Sequence, residues 1–79
     1  MDRQEIIQLV VSLVARVMFL DESLVSEASH LDNLGLAEND LIYLVTAVQD
    51  EFDVDFSEEE TNQLETVRDI VNKVAEKLG

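Results

Sequence analysis

The chain has 79 residues, no cysteine and one histidine, His30. A chain this short buries only about 60% of the surface it exposes when unfolded, so one core and a single domain over residues 1–79 are expected. Eighteen acids against five bases give a formal net charge of −13, and the stretch between Arg16 and Arg68 holds fourteen of those acids and no base. Disulfides, thiolate metal sites and multi-histidine metal sites are excluded. So is binding to nucleic acid or to anionic membrane, because both need Lys and Arg to neutralise phosphate. Such a field attracts basic protein surfaces and speeds encounter with them.

Asp2 and Glu5 have the spacing of a capping box, which predicts a first helix starting at Asp2. Ile6, Leu9, Val10, Leu13, Val14 and Val17 recur at intervals of three and four, one face of a helix, and Val11, Met18 and Phe19 widen the stripe. The run IIQLVVSLVARVMFL follows acids, not a basic region, and is interrupted by Arg16. It is too short and too broken to span a bilayer or act as a targeting signal, so a cytoplasmic protein is expected.

Residues 20–37 read as a long connection. Leu20, Leu24, Val25, Leu31 and Leu34 are expected to pin it to the core, and Gly35 suits a turn at positive φ. A second helix is predicted from about Asn39 to Phe52, with Leu41, Leu44, Val45, Val48 and Phe52 on its core face. Ile42, Tyr43 and Thr46 lie off that stripe, while Asp40, Gln49, Asp50 and Glu51 make its polar side. Ser57 and Glu60 cap a short third helix, and Thr66 and Asp69 repeat the device for a last one. Val67, Ile70, Val71, Val74, Ala75 and Leu78 form the apolar face of that last helix, and Gly79 ends it. No segment alternates as a strand does, so the fold class is all-α with four helices.

Chemistry built on the acids finds little support. Asp53, Asp55 and Ser57 take positions one, three and five of a calcium loop, but Glu58 stands where its glycine belongs and Leu64 where its bidentate glutamate belongs. A carboxylate pair working as acid and base needs a pocket that separates the two pKa values, and a chain this small has little volume for one. His30 has no serine or cysteine in a nucleophile motif to activate and is expected to be an ordinary loop or core-edge side chain. No catalytic residue and no metal site is expected.

The run ASHLDNLGLAENDLIYLVTAVQDEFDVDFSEEETNQLETVRDIV, residues 28–71, resembles the acyl carrier proteins of fatty-acid and polyketide synthesis. The likeness rests on Ala28-Ser29, Leu34-Gly35, Asp40, Glu51 to Asp53, the acidic turn Glu58 to Glu60, and Thr66-Val67. It implies a four-helix bundle with a long ordered loop between helices 1 and 2 and a short third helix. Proteins of that family carry acyl chains on a phosphopantetheine arm, esterified to the serine of an Asp-Ser-Leu triplet at the start of the second helix. Here the triplet reads Ala37-Glu38-Asn39. Glu38 thus occupies the attachment position, where a carboxylate cannot take the arm, and no cofactor is expected. Asn39 is expected to replace Ala37, a poor N-cap, as the helix cap.

The resemblance also implies a docking surface for basic enzyme surfaces. Asp40, Asp50 and Glu51 match it, Asp53 and Glu58 to Glu60 extend it, and Tyr43 stands where an acid is common. The expected protein is a monomeric, noncatalytic interaction module. It docks through Glu38, Asp40, Ile42, Tyr43, Thr46, Asp50 and Glu51 to synthase or other acyl-transfer enzymes. One alternative keeps the carrier function by attaching the arm at Ser29, Thr46 or Ser57. Another is an acidic helical adaptor, unrelated to acyl transfer or responsive to calcium.

Overall fold

The computed structural model describes residues 1–79 and contains four α-helices: α1 Arg3–Met18, α2 Glu38–Phe52, α3 Glu58–Asn62 and α4 Val67–Leu78. Two single 3₁₀ turns, Glu22–Leu24 and Asp32–Leu34, punctuate the connection from α1 to α2. No helix is long and apolar enough to cross a membrane.

Three of the four helices begin as their sequences dictate. The Asp2 carboxylate accepts from Glu5 N–H at 2.9 Å, Ser57 Oγ from Glu60 N–H at 3.1 Å, and Thr66 Oγ1 from Asp69 N–H at 3.2 Å. Each satisfies one of the amide donors that a helix start leaves unpaired. In the second and third cases the acid also reaches back, Glu60 to Ser57 N–H and Asp69 to Thr66 N–H, completing the box. At α1 the Asp2 half alone forms. The second helix corrects the expectation more sharply. It starts one residue early, at Glu38, with Ala37 as N-cap and no side-chain cap, and Asn39 lies inside the first turn. Asp40 supplies the only bond of the box, accepting from Ala37 N–H at 3.0 Å.

Helices α1 and α2 both end in a residue with left-handed backbone, Phe19 (φ 56°) and Asp53 (φ 54°). In each case the next amide donates five residues back, Leu20 N–H to Ala15 C=O and Val54 N–H to Gln49 C=O, the closing bond of a Schellman turn. Aspartate tolerates that conformation. A phenylalanine there costs roughly 1–2 kcal/mol, because its Cβ crowds the following carbonyl.

The long connection is ordered by backbone pairing with the start of α4. Val67 N–H donates to Ser29 C=O at 3.0 Å and Arg68 N–H to Glu27 C=O at 2.9 Å, while Leu31 N–H donates to Glu65 C=O at 2.9 Å. His30 and Thr66 form an isolated antiparallel bridge within this ladder, and the His30 side chain is exposed. The loop carbonyls therefore serve as partners for the first two amides of α4, which have none in their own helix. Val25 and Leu31 are buried as expected, and Leu20 and Leu34 pack at the core's edge. Leu24 does not: its 3₁₀ turn points it outward, 64% exposed. Gly35 has the positive φ, 89°, that its turn requires.

The core is wholly apolar. Ile6, Val10, Leu13, Val14 and Ala15 of α1 meet Leu44, Val45, Val48 and Phe52 of α2 and Val67, Ile70, Val71 and Val74 of α4. Leu41 and Ala75 flank it half-buried, and Leu78 is exposed. The short α3 buries none of its own residues. It is fastened by charge instead. Lys77 Nζ reaches both oxygens of Glu60, at 3.0 and 2.9 Å, and Lys73 approaches at 3.7 Å. The Lys77 ammonium also lies 5.3 Å from the centre of the Phe56 ring, within cation–π range.

Candidate functional site

The residues singled out on α2 divide between two faces of the helix. Positions 38, 42 and 46 follow one another at intervals of four and so share a stripe. Glu38, Ile42 and Thr46 edge a cleft of about 270 Å³ between α2 and α3, with Leu41, Val45, Phe56, Glu58, Thr61 and Asn62 completing its wall. Glu38 also borders a smaller cleft of about 180 Å³ on its other side, against Leu31, Leu36 and Leu64. Asp40 and Tyr43 lie outside that cleft and join Arg16, Val17 and Phe19 around a recess of about 350 Å³ at the end of α1. Asp50 and Glu51, exposed near the C-terminal end of α2, line none of these.

Two of the polar residues on α2 also have structural work. Gln49 Oε1 accepts from Phe56 N–H at 2.7 Å, half-buried, which fixes the turn into α3. Asp40 is tied to Ala37 N–H and is only partly exposed. Glu38, Ile42, Tyr43, Thr46, Asp50 and Glu51 remain open to solvent, with Ile42 54% and Tyr43 74% exposed.

The electrostatics of this surface follow from where the bases go. Glu27 holds Arg3 at 3.1 Å and Arg68 at 3.5 Å, and Glu60 holds Lys77 and Lys73. Arg3 also donates to Asn72 Oδ1 at 2.6 Å. Four of the five bases are thus spent on two glutamates, and Arg16 alone has no ion pair. None of the acids of α2 makes an ion pair, and Arg16 is the one base near them, in the recess that Asp40 lines. Hydrogen bonds from the Ser57 N–H and from Lys77 hold the Glu60 carboxyl well below the usual range, at about 2. A backbone bond from Ser23 N–H likewise lowers Asp21. No three His, Asp or Glu side chains converge as a metal site would require.

Sequence reasoning missed α3's share of the cleft it forms with α2, Glu58, Thr61 and Asn62, because nothing local to those residues says which way a five-residue helix will face. It also missed that Phe19 would join Tyr43. No sequence signal places Phe19 there: it reads as part of the apolar stripe of α1, whereas the structure makes it the left-handed residue that ends the helix.

An acidic four-helix bundle, with a short third helix and an exposed second helix beside a shallow apolar cleft, defines a protein of the acyl-carrier type. The comparisons agree. The sequence is 37% identical over 78 residues to an acyl carrier protein of Thermotoga maritima, covering 98% of this chain and 96% of that protein. It is 33% identical over 80 residues to one of Thermosynechococcus vestitus, covering 100% and 99%. The crystal structure of an acyl carrier protein from Thermotoga maritima superposes with a TM-score of 0.84 at 31% identity, over 99% of this chain and 92% of that one. No protein-family model matches the sequence. The chain belongs to the acyl carrier protein family.

Phosphopantetheine, attached through an alcohol, does not fit the start of α2. The first turn runs Glu38-Asn39-Asp40-Leu41 and presents no hydroxyl. The hydroxyls named as alternatives are engaged elsewhere. Thr46 Oγ1 donates to Ile42 C=O at 2.9 Å, Ser57 Oγ caps α3, and Ser29 Oγ accepts from Ser26 N–H at 2.9 Å in the long loop.

Proposed function

We propose that this chain is a noncatalytic relative of the acyl carriers that keeps the docking surface and carries no arm. It binds basic surfaces of synthase or other carrier-recognising enzymes through Glu38, Asp40, Ile42, Tyr43, Thr46, Asp50 and Glu51, as a scaffold, decoy or regulator in the cytoplasm. The observation that carries this reading is Glu38 itself, an exposed carboxylate on a turn without any hydroxyl, on a helix whose acids make no ion pair. Membership of the family speaks against an adaptor of unrelated ancestry. The like charge of −13 on every copy opposes self-association, so the working form is a monomer. Exposed ion pairs contribute modestly one by one, and binding is therefore fast, salt-sensitive and of weak to moderate affinity.

Two measurements test this. Calorimetric titration of the full chain into purified carrier-recognising enzymes of its own organism should show binding that weakens as salt rises and on Asp50→Asn with Glu51→Gln. The enzymes are a ketosynthase, an acyltransferase and a phosphopantetheinyl transferase. Intact-mass spectrometry after incubation with coenzyme A and the transferase should show an unchanged mass. A stoichiometric adduct on the natural chain, at any hydroxyl, overturns the proposal, and so does binding to none of these enzymes.

A further inference from the structure

The Phe19 side chain does nothing for the fold that holds it. It is 95% exposed, the most exposed large apolar residue of the chain, and so contributes almost no burial. Its backbone sits at φ 56°, where glycine is the natural occupant and a side chain is strained. An exposed aromatic ring on a strained turn opposes both stability and solubility. Beside it stand Tyr43, 74% exposed, and the Asp40 and Arg16 that share its recess. Tyr43 projects from the helix that carries the proposed docking acids, and one of them, Asp40, lines the same recess as both rings.

We infer that Phe19 and Tyr43 are a pair of aromatic anchors that enter an apolar recess, rimmed by basic side chains, on the enzyme this chain docks to. The inference rests on the docking function proposed above and adds what the acids cannot supply. Charge brings a partner close and orients it, whereas aromatic rings buried at the centre of an interface carry most of the binding energy. Charge complementarity selects the occupant. A second copy of the chain would bring another −13 against this face, and a lipid surface of anionic headgroups would be repelled. A basic protein surface is attracted. Arg16, the one base free of an ion pair, adds a demand for a single hydrogen-bond acceptor among that partner's cations and so helps to fix its register.

The test separates a ring kept for binding from one kept for folding. Phe19→Gly and Phe19→Asn preserve the left-handed turn and remove the ring. Both are expected to melt no lower than the natural chain, and the glycine variant about 4–8 °C higher. Against the enzyme that the natural chain binds in the titration above, both are expected to weaken affinity at least fivefold. Phe19→Trp should restore it, and Tyr43→Ala should reproduce the loss. Affinity within fivefold of the natural chain for both Phe19 variants overturns the inference while leaving the acidic docking surface standing. A lowered melting temperature for Phe19→Gly overturns it as well, because the ring would then be part of the fold. Sedimentation that shows a dimer of the natural chain, dispersed by Phe19→Gly, assigns the rings to a second copy and overturns the proposed partner. If the natural chain binds no enzyme, the underlying function fails first.

Discussion

Serine in place of Ala37 should make this protein more stable, and the size of the gain can be read from the other helices. Ala37 has φ −85° and ψ 174°, nearly the backbone of Asp2 (−84°, 167°) and Ser57 (−75°, 163°). Both of those caps accept from the third amide of their helix, at 2.9 and 3.1 Å. A hydroxyl at position 37 therefore meets the Asp40 amide at a similar distance, and the position is exposed, so nothing has to move. Asp40 already supplies the reciprocal bond to the amide of residue 37, so the substitution completes a box that is half built. Going from alanine to serine at an N-cap contributes about 0.5–2 kcal/mol. In a domain of this size each kcal/mol moves the melting temperature by about 4–8 °C. Circular dichroism at 222 nm during heating measures the shift, and urea unfolding with an unchanged slope confirms that the native state alone was affected. Asn39→Ala is the companion variant. Asn39 makes no capping bond, so its loss should stay within about 0.5 kcal/mol. A serine variant no more stable than the natural chain, together with a strongly destabilised Asn39→Ala, would show that Asn39 is the cap and refute the reasoning.

Three further outcomes are expected. Ala37→Asp, Glu38→Ser and Asn39→Leu combined should turn the chain into a substrate of a phosphopantetheinyl transferase, seen as a mass increase of one arm; an unmodified product would mean that the recognition surface of α2 has diverged beyond the triplet. Glu60 has a folded pKa of about 2 against an ordinary 4.5. A depressed carboxylate contributes stability above its unfolded pKa and loses it as pH falls toward the folded value. The difference in melting temperature between the natural chain and Glu60→Gln should therefore be full near about pH 6, be mostly lost by about pH 2 and vanish below that. Leu44 is fully buried between the helices, so Leu44→Ala should cost about 2–5 kcal/mol in urea unfolding.

What could be read from the sequence was what acts locally. The boxes at Ser57 with Glu60 and Thr66 with Asp69 span four residues each, and both form. The apolar periods of α1, α2 and α4 likewise place their core faces. The start of α2 was misplaced because Ala37 has no side chain to announce a cap, and Asp40's reach back to it depends on backbone geometry that no residue type encodes. Leu24 looked like a core residue until a 3₁₀ turn rotated it outward. The pairing of Glu27 with Arg3 and Arg68 joins parts of the chain far apart in sequence, beyond any local pattern. The candidate site was legible residue by residue and not as an arrangement. Its members were visible on α2, but their division between a cleft facing α3 and a recess facing α1 is set by packing.

The ladder between residues 27–31 and 65–68 also orders events during synthesis. The connection that precedes α2 has its backbone partners in a segment translated more than thirty residues later. Until that segment leaves the ribosome, the backbone groups of Glu27, Ser29 and Leu31 lack these partners, and α2 has only α1 to pack against. The order of the connection is therefore a property of a chain that extends through residue 68, and a nascent chain stalled within α3 lacks this ladder.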